Sequence, residues 1–185
     1  CSSDLLMLGR LDLGVIYDHT LKSDLLHVEP LVAEEQFLIC APQDRLAKRA
    51  RVTLAEVAAL PLVLPSREHG LRFAVDDKIN SIGARPNIQI EIDSMVGLRR
   101  FVEQGKVYTI LPRGELEGDL AVGRLAAVRI HSPTIHRILF AAWHTERPVS
   151  APMRAVLEIM KLETASLVAG GVWGNEYYGD RWTID

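Results

Sequence analysis

Two short segments place a hydroxyl where a strand gives way to a helix: Pro65-Ser66-Arg67-Glu68-His69-Gly70 and Ile92-Asp93-Ser94-Met95. In each, a β-leaning run stops and a helical spacing starts at once. The serine therefore stands beside helix N–H groups that have no acceptor within the helix. A hydroxyl beside such donors suits a carboxylate or another anion. Arg67 and Arg72 add charge and a planar fork that can grip a carboxylate with two bonds. The competing reading is that each serine only caps its own helix, which is a common use of serine.

The remaining reactive residue types are not arranged for catalysis. The chain contains no G-x-S-x-G elbow, P-loop, G-x-G-x-x-G or H-E-x-x-H. No enzymatic activity, cofactor or metal is therefore expected. His19, His27, His69, His131, His136 and His144 fall in no recognised ligand spacing and read as surface or capping residues. Cys40 lies in the apolar run Phe37-Leu38-Ile39-Cys40-Ala41 and reads as a small core residue rather than a nucleophile. Glu34-Glu35 and Asp76-Asp77 are adjacent carboxylates. Neighbours on a strand or helix point apart, so both pairs read as solvated charge rather than an acid–base dyad.

The elements that would position these residues alternate between strands and helices. Ser2 to Leu8 reads as a short helix ended by Gly9, and Leu11 to Tyr17 as a strand buried on both faces. Leu25 to Val32 and Gln36 to Ala41 are β-leaning, with Pro30 and Pro42 as punctuation. A short helix is expected around Leu54 to Ala59, then a buried strand in Pro61 to Pro65. Leu71, Val75, Ile79 and Ile82 recur at helical spacing and stop at Gly83. Ile88, Ile90 and Ile92 alternate with polar residues, as in a strand with one wet face. Met95, Leu98, Phe101 and Val102 form a further helical stripe that stops at Gly105. Val107 to Leu111 reads as a strand closed by Pro112, Ile135 to Trp143 as another, and Ala151 to Val168 as a long amphipathic helix. This alternation predicts an α/β fold with parallel pairing, and in such folds ligands lie beyond the carboxyl ends of the strands.

Composition excludes several classes. At 185 residues, 48% hydrophobic and 24% charged, the chain is an ordinary globular one, of a length for one domain or two small lobes. The net charge of −3 makes it a poor holder of a phosphate backbone by itself. Two cysteines are too few for a disulfide scaffold or a Cys₄ zinc site. No apolar run approaches the ~18–20 residues of a membrane span. The opening CSSDLLMLGR has no basic leader, so a cytoplasmic location without a membrane partner is expected.

The segments GRLDLGVIYD, EPLVAEEQFLICAPQDRLAKRARVTLAEVAALPLVLPSREHGLR and EIDSMVGLRRFVEQGKVYTILP, in that order, resemble the effector-binding domain of LysR-type transcriptional regulators. The resemblance runs from Leu5 to about Val168. It implies a fold like the type II periplasmic binding proteins: two Rossmann-like lobes joined by two crossing strands, near 35–41 and 135–143. Residues 1–41 and 130–168 would form the first lobe with the hinge strands, and 42–129 the second. The tail, 169–185, falls outside the resemblance.

Carried across, the inter-lobe cleft would include Tyr17, Pro65, Ser66, Arg67, Ser94 and Pro112 around a small-molecule effector, a carboxylate or other anion by the serine geometry above. Members of the family bind DNA through an N-terminal helix-turn-helix and assemble as homodimers or tetramers; Asp76 and Lys78 on an outer helix face could serve that assembly, against the commoner reading of a solvated helix face. The chain departs from the pattern in three ways. It opens without the strand, helix and strand that normally begin the first lobe, so that lobe is expected to be N-terminally truncated. It also lacks the helix-turn-helix. Gly105-Lys106-Val107 stands where the family usually has two glycines. A solute-binding receptor of a transport system, with the same fold, is the alternative. In the tail, Trp173, Tyr177, Tyr178 and Trp182 could cover the first lobe or its exposed edge, or meet a partner.

Overall fold

The computed structural model describes residues 2–17, 24–171, 173 and 176–182. His19 lies outside them. The chain divides into two compact units, Cys1–Glu34 with Arg137–Asp185, and Glu35–His136. Residues 35–41 and 130–136, expected to go with the first lobe, thus group with the second unit. The described tail residues group with the first.

The first unit opens with α1 (Ser2–Met7), which ends through Gly9 at φ +65°. Fully buried Leu6 rests against Gly14, where an added Cβ would meet its Cδ1 at 3.1 Å. Gly14 starts β1 (Gly14–Tyr17), which pairs antiparallel with β8 (Ile135–His144), from Gly14 opposite Ala142 to Tyr17 opposite Leu139. Among the described elements β1 has no second neighbour, and Val15 is 43% exposed. The expected burial on both faces is corrected accordingly.

β2 is a single strand, Leu26–Cys40, where the sequence suggested two with a break at Pro30. A proline interrupts a strand only where the ladder needs its N–H. Here the Pro30 carbonyl accepts the Trp182 indole N–H at 2.6 Å. The tail adds β9 (Glu176–Tyr177), antiparallel to β2, with Val32 opposite Tyr177. α6 (Ala151–Ala169) is capped by the Ser150 hydroxyl and packs buried Leu157 with Leu31, Val32, Leu139, Trp143 and Trp182. The tail aromatics therefore cover the first unit.

In the second unit, the end of β2 runs antiparallel to both β6 (Thr109–Pro112) and β7 (Ala126–His131). β3 (Arg51–Thr53) joins β7 in parallel, and β4 (Leu62–Leu64) joins β5 (Ile88–Glu91) in parallel. The sheet is therefore mixed. The expectation of parallel pairing holds where a helix returns the chain. It fails at β2, which arrives without a helical crossover.

The helices α2 (Leu54–Ala59), α3 (Gly70–Ser81) and α4 (Met95–Glu103) send Val57, Val75, Ile79, Leu98 and Val102 into one continuous core with β4, β6 and β7. Thr53 and Glu56 form a reciprocal cap on α2. Phe101, counted in the α4 stripe, is 39% exposed, because the buried face follows Leu98 and Val102. Gly105 turns the chain after α4 at φ +78°, a conformation that favours glycine. Pro112, opposite Gln36, is the last residue of β6, and α5 (Glu117–Ala121) follows a 3₁₀ turn.

Candidate functional site

The parallel pairing of β4 and β5 brings both serine turns to one end of the second unit. Leu64 lies opposite Glu91, and the Ile92 N–H donates to the Leu64 carbonyl at 3.0 Å. From that end Pro65, Ser66 and Arg67 lead into α3, and Asp93 and Ser94 into α4. Sequence separation of 27 residues is thus closed by one pair of short strands. The Ser66 N–H donates to Asp93 Oδ1 at 2.9 Å. The Ser66 amide, with its hydroxyl as a second contributor, holds the Asp93 carboxyl below the usual carboxylate range.

The Ser94 hydroxyl accepts the Gly97 N–H at 3.2 Å and caps α4. The capping reading thus describes Ser94 in this structure. At the other turn the α3 cap is His69, whose Nδ1 accepts the Leu71 N–H at 3.2 Å. Ser66 does not cap α3, and its amide is turned toward a carboxylate instead.

Arg72 braces the same end from inside. It is only 3% exposed, and its Nε donates to both Asp76 oxygens at 3.0 and 2.9 Å. Its Nη1 donates to the Pro65 carbonyl at 3.1 Å and to Glu91 Oε1 at 2.6 Å. The guanidinium thereby ties the ends of β4 and β5 to α3, and Asp76 is a structural partner rather than free solvated charge. Arg67 is exposed and borders a groove of about 660 Å³ with Phe73, Asp77, Asn80 and Arg85.

The other two expected site residues stand elsewhere. Pro112 is buried opposite Gln36, itself fully buried. In the first unit, Tyr17 ends β1 with the Arg137 guanidinium carbon 3.3 Å from its ring centroid, and Arg137 is 2% exposed.

Sequence reasoning missed Asp93, although it stands beside Ser94 and is a residue type that readily accepts backbone N–H groups. It also misread Glu34 and Glu35, which are both 4% exposed. Glu34 Oε1 accepts the Trp173 indole N–H at 2.7 Å, and Glu35 Oε1 accepts from Arg129 Nε at 2.7 Å. The signal was present: two acids inside the apolar run LVAEEQFLIC are seldom a wet face. The pair does point apart, each carboxylate meeting a donor of its own unit. Arg137 carried no comparable signal.

Cys40 is fully buried in the core, and burial, with Asp44 second, pushes its thiol up to about 11. At neutral pH it is a thiol in a core position, not a nucleophile. His144, like His69, accepts a backbone N–H on Nδ1, here from Glu146 at 3.2 Å. Among the described residues no group of three or more His, Cys, Asp or Glu could hold a metal, and no helix is long and apolar enough to cross a membrane.

A family model described as the LysR substrate binding domain matches residues 2–165. A Bacillus subtilis (strain 168) protein, the HTH-type transcriptional regulator YwqM, is 27% identical over 158 residues, 84% of this chain and 53% of that protein. The chain spans about half the length of this curated relative. Among solved structures, the effector binding domain of QuiR in complex with shikimate has a TM-score of 0.77 at 19% identity, over 89% of this chain and 77% of that one. The Synechocystis PCC6803 CcmR regulatory domain in complex with 2-PG has a TM-score of 0.77 at 15% identity, over 88% and 78%. Their likeness is one of fold: the type II periplasmic-binding-protein-like architecture.

Proposed function

The chain belongs to the LysR substrate-binding domain family, and we propose that it senses a small anionic metabolite for a LysR-type DNA-binding transcription factor. One observation carries the anionic class: the Ser66 N–H holds a carboxylate, that of Asp93, at 2.9 Å. A backbone donor aimed at an exposed carboxylate is an anion position by its own geometry. Ser66 and Ser94 would make the polar contacts, with Arg67 adding charge and Pro65 and Pro112 adding apolar surface. Tyr17, under the Arg137 guanidinium, is the residue the first unit would contribute.

The two units are proposed as the lobes of the regulatory domain. Membership of a family of regulators favours this over a transport receptor and over an enzyme, and it supports a cytoplasmic location. DNA would be contacted by a helix-turn-helix carried outside these residues. Assembly as a homodimer or tetramer would use exposed apolar side chains such as Phe73, 58% exposed on α3 beside Asp76.

The test is a thermal-shift screen of small carboxylates and phosphorylated acids, shikimate and 2-PG included, followed by titration of any stabilising compound. Ser66→Ala and Ser94→Ala should each weaken binding by about 1–2 kcal/mol while the chain still melts cooperatively. Unchanged affinity in both variants would mean that neither hydroxyl touches the effector, leaving the Ser66 N–H, which alanine keeps, as the contact.

A further inference from the structure

Asp93 occupies a place that the proposed effector would need. It sits between two fixed points: Ile92, whose N–H is bonded to Leu64 of the neighbouring strand, and Ser94, which caps α4. Its freedom is therefore limited to the side chain. That side chain is exposed on the surface and reaches across to the amide of Ser66. Among the described residues no Lys or Arg side chain forms an ion pair with it. Arg72, the guanidinium behind the turn, has Nε and Nη1 committed to Asp76, Glu91 and the Pro65 carbonyl. The titratable neighbours on the loop are Arg67, Glu68 and His69, of which the first two are exposed to water. His69 uses its Nδ1 for the α3 cap.

We propose that Asp93 is an internal stand-in for the effector's anionic group, so that an effector binds Ser66 only by displacing the Asp93 carboxylate. The proposal rests on the reading of Ser66 as an anion position. One N–H cannot bond strongly to two carboxylates, and two such anions a hydrogen bond's length apart repel. A carboxylate tethered two residues from a strand end competes at an effective concentration of about millimolar or higher. A simple acid such as acetate brings one anionic group and little else, and it loses that competition. A metabolite with further hydroxyl, phosphate or ring contacts can win it. Asp93 is thus a specificity-determining residue: it sets the threshold that separates an effector from background carboxylates. The release of Asp93 is also a local event coupled to binding, at the connection between β5 and α4.

The experiment is an acetate titration of the ¹⁵N-labelled 185-residue chain at constant ionic strength, following the Ser66 amide cross-peak in the native protein, Asp93→Ala and Asp93→Asn. In Asp93→Ala the donor is vacated, and the Ser66 peak should respond at an acetate concentration lower by about tenfold or more. Asp93→Asn keeps an acceptor oxygen but no charge, and should fall between the two. It also carries the comparison should the alanine variant fail to fold. The same midpoint in all proteins would overturn the displacement, while leaving Ser66 as an anion position. A Ser66 peak that acetate moves in none of them would overturn the anion position itself, and the displacement with it.

Discussion

The two units of this chain are stabilised differently. The second has one continuous core, in which residues from α2, α3, α4 and the strands around them are mutually packed. The first has two separate clusters among the described residues, one around Leu6, Ile16 and Ala142, the other around Leu31, Leu157, Trp143 and Trp182. Its long helix α6 buries Leu157 and Thr164 but leaves Val156, Ile159 and Leu162 on the surface. A continuous core resists local collapse around a deletion, while a small cluster can close over one. The first unit instead leans on strand addition by β9 and on the Trp182 indole.

The largest effects should come from cutting the same side chain in each core. Leu98→Ala in the second unit should cost in the upper half of about 2–5 kcal/mol, and Leu157→Ala in the first in the lower half. The three tryptophans, Trp143, Trp173 and Trp182, all lie in the first unit, so their fluorescence reports that unit while circular dichroism reports both. In urea, Leu157→Ala should move the fluorescence midpoint, and Leu98→Ala should move mainly the dichroism midpoint. Equal movement of both signals in Leu98→Ala would mean one cooperative fold, and the contrast between units would then carry no energetic meaning.

A smaller effect compares Glu34 with Glu35, neighbours on β2 that are held differently. Trp173→Phe removes a 2.7 Å indole donor from buried Glu34, and should cost about 1–3 kcal/mol. Arg129→Met removes one donor from Glu35, but the Arg129 side chain is 59% exposed. Solvent already screens that pair, so the loss should stay below about 1 kcal/mol. Thermal melts of the two variants check the order. A larger loss at Arg129 would reverse the view that the tail, rather than the strand β7, carries the more important lock on this strand.

The same contrast explains what could be read in advance. Residues 54–59 and 70–81 form the helices expected of them, because each presents one apolar face to a continuous core. β3, three residues long, carries too little pattern to be seen, whereas the equally short β4 is an apolar run marked off by Pro61 and Pro65. The bond from the Trp182 indole to the Pro30 carbonyl joins residues more than 150 positions apart, which no local window contains. At the candidate site, Ser66 and Ser94 were legible as hydroxyls at strand ends. Their division of labour was not: it follows from the β4–β5 register, which sets Asp93 rather than a helix N–H against Ser66. Arg72 was legible as a charge but not as a buried brace.

The smallest expected effect tests whether the second unit's advantage comes from packing alone. Thr109 on β6 is fully buried opposite Ile39, and its hydroxyl has no hydrogen-bond partner among the described residues. Burying a hydroxyl without a partner costs free energy that a methyl of the same size would not. Valine keeps the branched shape that suits a strand. Thr109→Val should therefore raise stability by about 0.5–1 kcal/mol, read as a higher urea midpoint in the dichroism signal with the fluorescence midpoint unmoved. A gain would mean that the continuous core outweighs a polar flaw it already contains. A loss would mean that the hydroxyl bonds within the native unit, and that polar satisfaction contributes there as it does at Glu34 in the first.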